Sequence, residues 1–158
     1  GQAHAASWRA AYPGMVHADN LAALDPVERA GVWRNAMLRG PGSLPGACLV
    51  AERDGVLVAF SYHGPHLEAG PECANLAAIY VHPDHFGTGA GRALFEAARD
   101  ACRAAGFRQL LLTVLADNER AHGFYRAMGM APDGRTETWT PRGPVHQELE
   151  LLQFRMEL

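Results

Sequence analysis

The most constraining feature of the chain is a glycine-rich segment that joins an apolar run to a long amphipathic pattern. The apolar run is Leu76 to Val81, and Gly87, Gly89 and Gly91 lie just ahead of the amphipathic pattern. A short, nearly continuous apolar run predicts a buried strand, and three- and four-residue apolar spacing predicts a helix. The first N–H groups of a helix have no intrahelical partners, and glycines let a ligand approach them closely. The segment therefore predicts a strand–turn–helix unit that can hold a phosphate group.

Length and composition indicate one globular α/β domain over residues 1–158. The chain is 48% hydrophobic and 20% charged, its formal net charge is −3, and it contains no basic run. This charge pattern argues against a nucleic-acid partner. No apolar stretch approaches the roughly 20 residues that a membrane span needs, and no signal peptide is visible. We therefore expect a cytoplasmic protein without nucleic-acid or membrane partners.

Cysteine and histidine usage predicts neither a disulfide framework nor a metal site. The three cysteines are too few and odd in number for such a framework, and Cys102 falls on the apolar face of a predicted helix. The eight histidines are scattered. His82 and His85 have H-x-x-H spacing, but Pro83 and Asp84 between them indicate a turn. A structural zinc site needs four closely spaced ligands, so no metal is expected, and the other histidines are expected at the surface.

The predicted elements run in the order helices, hairpin and then β-α-β-α-β-β, which favours the α/β class. In the third helix, Val27, Ala30, Trp33 and Met37 are predicted to face inward. The predicted helices cover residues 4–12, 18–24, 26–39 after an Asp25 cap, 89–105, and 119–128 after Asn118, with a Gly40-Pro41-Gly42 stop after the third. The predicted strands cover 47–52 and 56–62 around an Asp54-Gly55 turn, then 76–81, 110–115, 136–139 and 148–156, the last two as an antiparallel pair.

The glycine turn alone leaves its ligand open. A P-loop would need the pattern G-x-x-x-x-G-K-S/T, whose lysine is missing, and the glycine spacing does not fit the G-x-G-x-x-G dinucleotide fingerprint. Without further evidence, a tight strand-to-helix connection explains the turn as well as a phosphate does.

A second segment narrows the choice. Residues 118–130 read N-E-R-A-H-G-F-Y-R-A-M-G-M. They resemble the N-x-x-A-x-x-F-Y-x-x-x-G-F motif of the GNAT family of N-acetyltransferases, with Met130 in the final position. Residues 86–91 resemble the family's Q/R-x-x-G-x-G/A turn except at Phe86, and residues 81–85 resemble its strand-ending V-x-P-x-x. The resemblance covers about residues 46–158.

This resemblance implies a mixed central sheet flanked by helices, in which two parallel strands splay apart around acetyl-CoA. The reaction it implies is direct attack of a primary amine, on a small molecule or a peptide, at the acetyl thioester. Two alternatives stay open: a non-catalytic acyl-CoA sensor, and a transferase for another acyl group. A homodimer is compatible with the resemblance. The implied donor contacts are the backbone of Ile79, Tyr80 and Val81 for the pantetheine arm, the N–H groups of Gly87, Thr88, Gly89, Ala90, Gly91 and Arg92 for the pyrophosphate, Asn118 for the arm, and Tyr125 as general acid near the sulfur.

The chain departs from the family pattern at the general base. Family members often carry a Glu at positions that correspond here to Asn75 and Thr113, and neither residue is a base. Glu72, His63, Glu119 or solvent are the open choices for the group that takes the amine proton.

Two further expectations concern the first helices. The family begins with a strand, but the predicted helix starts at about His4, so either that strand lies outside the given sequence or the sheet has an open edge. The family builds its acceptor pocket from the first helices and the last hairpin, which makes aromatic residues there candidates for pocket lining: Trp33, Trp139, Tyr12 and His63.

Overall fold

The computed structural model describes residues 1–38 and 46–158, which form a six-stranded mixed sheet with helices on both faces. The strand order is β1-β2-β3-β4-β6-β5, and only β3 and β4 are parallel neighbours. The predicted fold class is confirmed. The helices are α1 (Gln2–Ala11), α2 (Ala18–Ala22), α3 (Pro26–Leu38), α4 (Ala90–Ala104) and α5 (Glu119–Ala127). The strands are β1 (Ala47–Arg53), β2 (Val56–Pro65), β3 (Cys73–Val81), β4 (Gln109–Leu115), β5 (Ala131–Trp139) and β6 (Leu149–Glu157), and a 3-10 turn spans Pro83–His85.

The core has two sides, one on each face of the sheet. Phe95 of α4 and Tyr125 of α5 pack with Phe154 of β6 on one side. On the other side, α1 and α2 contribute to an apolar cluster around Leu21 and Leu115. Both faces of the central strands are therefore covered, which explains the nearly continuous apolar sequence of β3 and β4.

The prediction that Val27 faces inward is wrong. Its side chain is 78% exposed, whereas Trp33 of the same helix packs against Phe60 with ring centroids 5.1 Å apart. At about 100° per residue, Val27 lies roughly 120° around the helix from Trp33, so one helix face cannot bury both. The predicted helix end near Arg39 and the Gly40-Pro41-Gly42 stop lie outside the described residues.

Two histidines expected at the surface are buried. Nδ1 of His4 accepts a hydrogen bond from Trp33 Nε1 at 2.8 Å, and Nε2 of His122 lies 3.0 Å from the carbonyl oxygen of Leu115. These side chains tie α1 to α3 and α5 to β4. Sequence periodicity did not reveal them because their hydrogen-bond partners lie on other elements, whose packing the pattern of one helix does not specify. The interpretation of Cys102 as packing is confirmed, since it is 2% exposed within the α4 core.

β1 and β5 are the edge strands of the sheet in the described part of the chain. Within residues 1–38 and 46–158, no helix is both long enough and apolar enough to cross a membrane.

Candidate active site

The two parallel strands at the centre of the sheet diverge. β3 pairs with β4 only from Cys73 to Asn75, although β3 remains paired with β2 as far as Val81. β4 likewise remains paired with β6 as far as Leu115. Beyond Asn75, the edge of β3 that faces β4 therefore has no strand partner. An open strand edge offers backbone donors and acceptors to an extended ligand.

A β-bulge coincides with this divergence. Tyr62 of β2 pairs with Ala78 and His63 pairs with Leu76, which leaves Ala77 without a partner on β2. A bulge bends its strand and reverses the side-chain alternation beyond it. Accordingly, Leu76 packs on the α4 side of the sheet, and Ala78 packs on the α1 side.

The glycine turn connects the open strand to α4. Gly87 and Gly89 have φ angles of +74° and +90°, and Gly89 is the N-cap of α4 without a side-chain cap. The left-handed φ values explain why glycines occur here. The first helical hydrogen bond runs from the N–H of Ala93 to the carbonyl of Gly89, so the earlier N–H groups of α4 point out of the helix end.

A cavity of about 670 Å³ lies between the diverging strands and the glycine turn. This volume falls in the range of about 300–1,000 Å³ that is usual for small-molecule sites. Thr88 and Ala90 of the turn are not among its lining residues, and the Thr88 hydroxyl donates to the carbonyl of His85 at 2.8 Å. The predicted site residues that do line the cavity are Ile79, Tyr80, Val81, Gly87, Gly89, Gly91, Arg92, Asn118 and Tyr125.

Asn118 and Tyr125 are buried at the wall of this cavity. Asn118 is the N-cap of α5, and its Oδ1 accepts from the N–H of Ala121 at 3.1 Å. The cap occupies the side-chain oxygen and leaves the amide nitrogen as the donor. Burial, and secondarily the neighbouring Tyr80, raise the pKa of the Tyr125 phenol above its ordinary value. Tyr125 is therefore protonated at neutral pH.

Positive charge collects at the glycine-turn end of the cavity. Arg92 lines the cavity but also forms an ion pair with Glu96, with Nε and Oε1 2.9 Å apart. Arg120 of α5 lies over the ring of Phe86, with the guanidinium carbon 3.8 Å from the ring centroid. Among the described residues, no carboxylate lies within ion-pair distance of Arg120. The phenyl ring at position 86 thus holds a free guanidinium beside the turn.

Comparison with known proteins decides the family. Residues 12–130 match the family model described as "Acetyltransferase (GNAT) family", which covers more than half of the chain. The chain belongs to the GNAT family. A protein of Bacillus subtilis, provisionally named a ribosomal protein bS18-alanine N-acetyltransferase, is 33% identical over 96 residues, or 60% of this chain and 61% of that protein. The matched segment thus spans about three fifths of that relative's length.

Two solved structures share the GNAT fold over almost the whole chain. A ribosomal-protein-alanine N-acetyltransferase from Brucella melitensis has a TM-score of 0.70 at 24% identity, covering 98% of this chain and 92% of that chain. A PaiA N-acetyltransferase from Thermoplasma acidophilum, solved with coenzyme A, has a TM-score of 0.75 at 16% identity, covering 99% and 89%. These likenesses support the GNAT fold of the chain.

The three side chains considered as the general base of a GNAT enzyme lie outside the cavity lining. Glu72 is exposed and lies 3.7 Å from Nε of Arg108. His63 is buried within β2, where burial lowers its pKa. Glu119 is exposed and lies 3.6 Å from Nδ1 of His122. None of the three is positioned to touch an amine in the cavity directly.

Sequence reasoning missed one carboxylate that does line the cavity. Glu137 of β5 is exposed at the cavity wall, together with Trp139 from the same strand and Trp8 and Tyr12 from α1. Alternation along a strand places Glu137 and Trp139 on the same face, so the prediction for Trp139 already contained the signal. Of the other proposed pocket residues, Trp33 packs in the core and His63 is buried in β2; neither lines the cavity.

Proposed function

We propose that the protein is an acetyl-CoA-dependent N-acetyltransferase that acts on primary amines by direct transfer. The observation that carries this proposal is the cavity between β3 and β4, which joins an open strand edge, a glycine-rich helix start and a buried protonated phenol. A site with these three parts can bind an amide-containing arm, a pyrophosphate and a thioester in line. Membership of the GNAT family supports the same assignment.

The proposed contacts to acetyl-CoA follow from the chemistry of each segment. The backbone of Ile79–Val81 pairs with the amides of the pantetheine arm, in the manner of an added strand. N–H groups of the turn from Gly87 to Arg92, including Thr88 and Ala90, receive the pyrophosphate at the positive end of the α4 dipole. The Asn118 amide nitrogen donates to the arm. Arg120, which lies over Phe86, supplies a polar, positively charged contact beside the turn, where the family has Gln or Arg at position 86 and this chain has Phe.

Acetyl-CoA supplies the activated acetyl thioester. An N–H on the open edge of β3 donates to the thioester carbonyl oxygen as negative charge develops there. The amine nitrogen forms a bond to the acetyl carbon, the carbon–sulfur bond breaks, and the hydroxyl of Tyr125 gives its proton to the departing sulfur. The proton lost by the amine leaves through water, and water returns a proton to Tyr125. The products are the N-acetyl amine and the free thiol.

The acceptor in this proposal is a primary amine of a small molecule or the α-amine of a peptide. The names of the Bacillus subtilis and Brucella melitensis relatives, both alanine N-acetyltransferases, favour a peptide N-terminus. A second candidate function, a non-catalytic acyl-CoA sensor, is favoured by Asn75 and Thr113, which occupy the positions where the family often has a carboxylate. A transferase for another acyl group would use the same donor contacts.

The test combines calorimetry with an acceptor screen. We expect CoA and acetyl-CoA to bind, and a panel of primary amines to yield free thiol above the rate of spontaneous hydrolysis. Binding without thiol release on any amine would support the sensor instead. No binding at about 1 mM cofactor, a concentration at which even weak binding is measurable, would exclude both the acetyltransferase and the sensor. Competition among acetyl-, propionyl- and succinyl-CoA identifies the acyl group.

A further inference from the structure

The charges around the cavity are separated. Arg92 and Arg120 lie on the lining at the glycine turn and at the start of α5. Glu137 is the single carboxylate on the lining that the described residues provide, and it comes from β5 at the other side of the sheet. Because the positive groups are where an anionic donor would bind, the isolated negative charge marks a place for a cation.

Strand register fixes where this carboxylate lies. Glu137 pairs with Leu151 of β6, and Leu151 pairs with Leu115 of β4, so the three side chains share one row and one face of the sheet. That face is the one covered by α1 and α2, where Leu115 and Leu151 pack. Two strand spacings separate Glu137 from β4, which is about 10 Å. The carboxylate therefore lies beside the gap between β3 and β4. Its distance from β4 leaves room for a small acceptor molecule between Glu137 and the thioester.

Aromatic side chains complete the surroundings of Glu137. The indole of Trp8 packs against Trp139 and Tyr12, with ring centroids 5.6 Å and 5.1 Å apart, and all three residues line the cavity. Aromatic faces attract cations and contact alkyl groups, while the carboxylate binds an ammonium group directly. The combination suits an organic ammonium ion with a small apolar substituent.

We infer that Glu137 and the rings of Trp8, Tyr12 and Trp139 form the acceptor subsite, and that this subsite selects amines that have no carboxylate next to the ammonium group. The inference rests on the proposed acetyl transfer and names its acceptor class: peptide α-amines, amino-acid amides and simple alkylamines, but not free amino acids. In a free amino acid, the α-carboxylate would lie within a few ångströms of Glu137. Repulsion between two partly exposed charges at that distance disfavours binding by roughly tenfold.

Acceptor selectivity of single variants tests this inference. The substrates are amino acids each matched with its amide, beginning with alanine and alaninamide, at saturating acetyl-CoA with detection of the released thiol. The variants are Glu137→Gln, which removes the charge, and Glu137→Arg, which reverses it. The control is Glu150→Gln, because Glu150 is exposed on the same hairpin, pairs with Thr138 and lies outside the cavity.

The wild-type protein and the Glu150→Gln control are expected to prefer the amide over the acid by roughly tenfold in kcat/KM, and Glu137→Gln to bring the ratio within about threefold. Glu137→Arg is expected to reverse the preference. CoA affinity by calorimetry stays the same in all variants, which verifies that they are folded. An unchanged amide preference in both Glu137 variants would overturn the subsite while leaving acetyl transfer intact. A wild-type protein that acetylates no amine would overturn acetyl transfer, and the inference with it.

Discussion

Replacement of Gly91 by alanine separates folding from donor binding. Gly91 is the second residue of α4 and has a helical φ, unlike Gly87 and Gly89. An added Cβ would lie 3.4 Å from Cγ2 of Val81 and 3.8 Å from Cε2 of Phe124, which are ordinary contact distances. The folded state therefore accepts the methyl group without strain.

The expected stability change is favourable. Alanine replaces glycine inside a helix with a gain of about 0.5–1 kcal/mol, which corresponds to a rise in Tm of about 1–4 °C for a chain of this size. The effect on CoA binding is expected to be small, within about threefold in Kd, because the added methyl group keeps ordinary contact distances to Val81 and Phe124 and the turn motif of the family has Gly or Ala at this position. A methyl group that displaced the pyrophosphate would instead remove a hydrogen bond to a charged group, which costs about 1.5–3 kcal/mol, or roughly ten- to hundredfold in Kd for CoA.

Thermal unfolding and calorimetry with CoA measure the two effects in the same preparation. Gly123→Ala is the matched control, because Gly123 lies within α5, an added Cβ there meets nothing within 4 Å, and the residue does not line the cavity. The control should gain stability and retain CoA affinity. If Gly91→Ala loses stability, or weakens CoA binding by tenfold or more, the added methyl group is not accommodated as the contact distances indicate, and the reasoning fails.

Three further predictions concern single side chains. Tyr125→Phe should leave Kd for CoA within about threefold but lower kcat by roughly a hundredfold or more, since a general acid is lost; an unchanged single-turnover rate would exclude Tyr125 as the acid. Arg120→Gln should weaken acetyl-CoA by about three- to tenfold at low salt and leave S-acetylpantetheine, which has no phosphate, unaffected; equal losses for both would contradict a phosphate contact. Burial, with a smaller effect of Arg29, lowers the pKa of His4 from 6.5 to about 4. The unfolded chain therefore binds a proton before the folded one does, so the free energy of unfolding should fall by at most about 3 kcal/mol as the pH drops from 6.5 to 4, and His4→Gln should flatten this slope in urea titrations.

Local chemistry explains why much of the fold could be predicted. The Asp54-Gly55 turn, the helix after the glycine turn and the helix that begins after Asn118 each depend on residues close in sequence, and the structure contains all three. Val27 shows the limit of this reasoning. Its apolar character suggested burial, but the way α3 packs against α1 through Trp33 and His4 leaves that side of the helix in solvent.

The candidate active site likewise has one part that could be predicted from the sequence and one part that could not. The glycine turn could be read from the sequence because φ preference and helix-end geometry are properties of a few consecutive residues. The three side chains that the sequence offered as the general base, Glu72, Glu119 and His63, lie outside the cavity lining. Glu137 was missed because its position at the cavity depends on the register of β5, β6 and β4 and on the docking of α1 over them, which no local motif specifies.

The sequence by itself determined the strand–turn–helix unit, the helix after β4 and the family to which the chain belongs. The tertiary structure decided where β3 leaves β4, that Arg120 lies over Phe86, and that Glu137 and Trp139 face the same cavity as Trp8. The physical reason is the distance along the chain over which each interaction acts. Turn and helix-end energies act within a few residues, whereas the pairing of β3 with β4 and of β4 with β6 joins segments that are tens of residues apart, and the docking of α1 against β5 joins segments more than a hundred residues apart. The end of the cavity proposed for acetyl-CoA could therefore be predicted from local motifs, whereas the end proposed for the acceptor amine forms only when distant segments pack together.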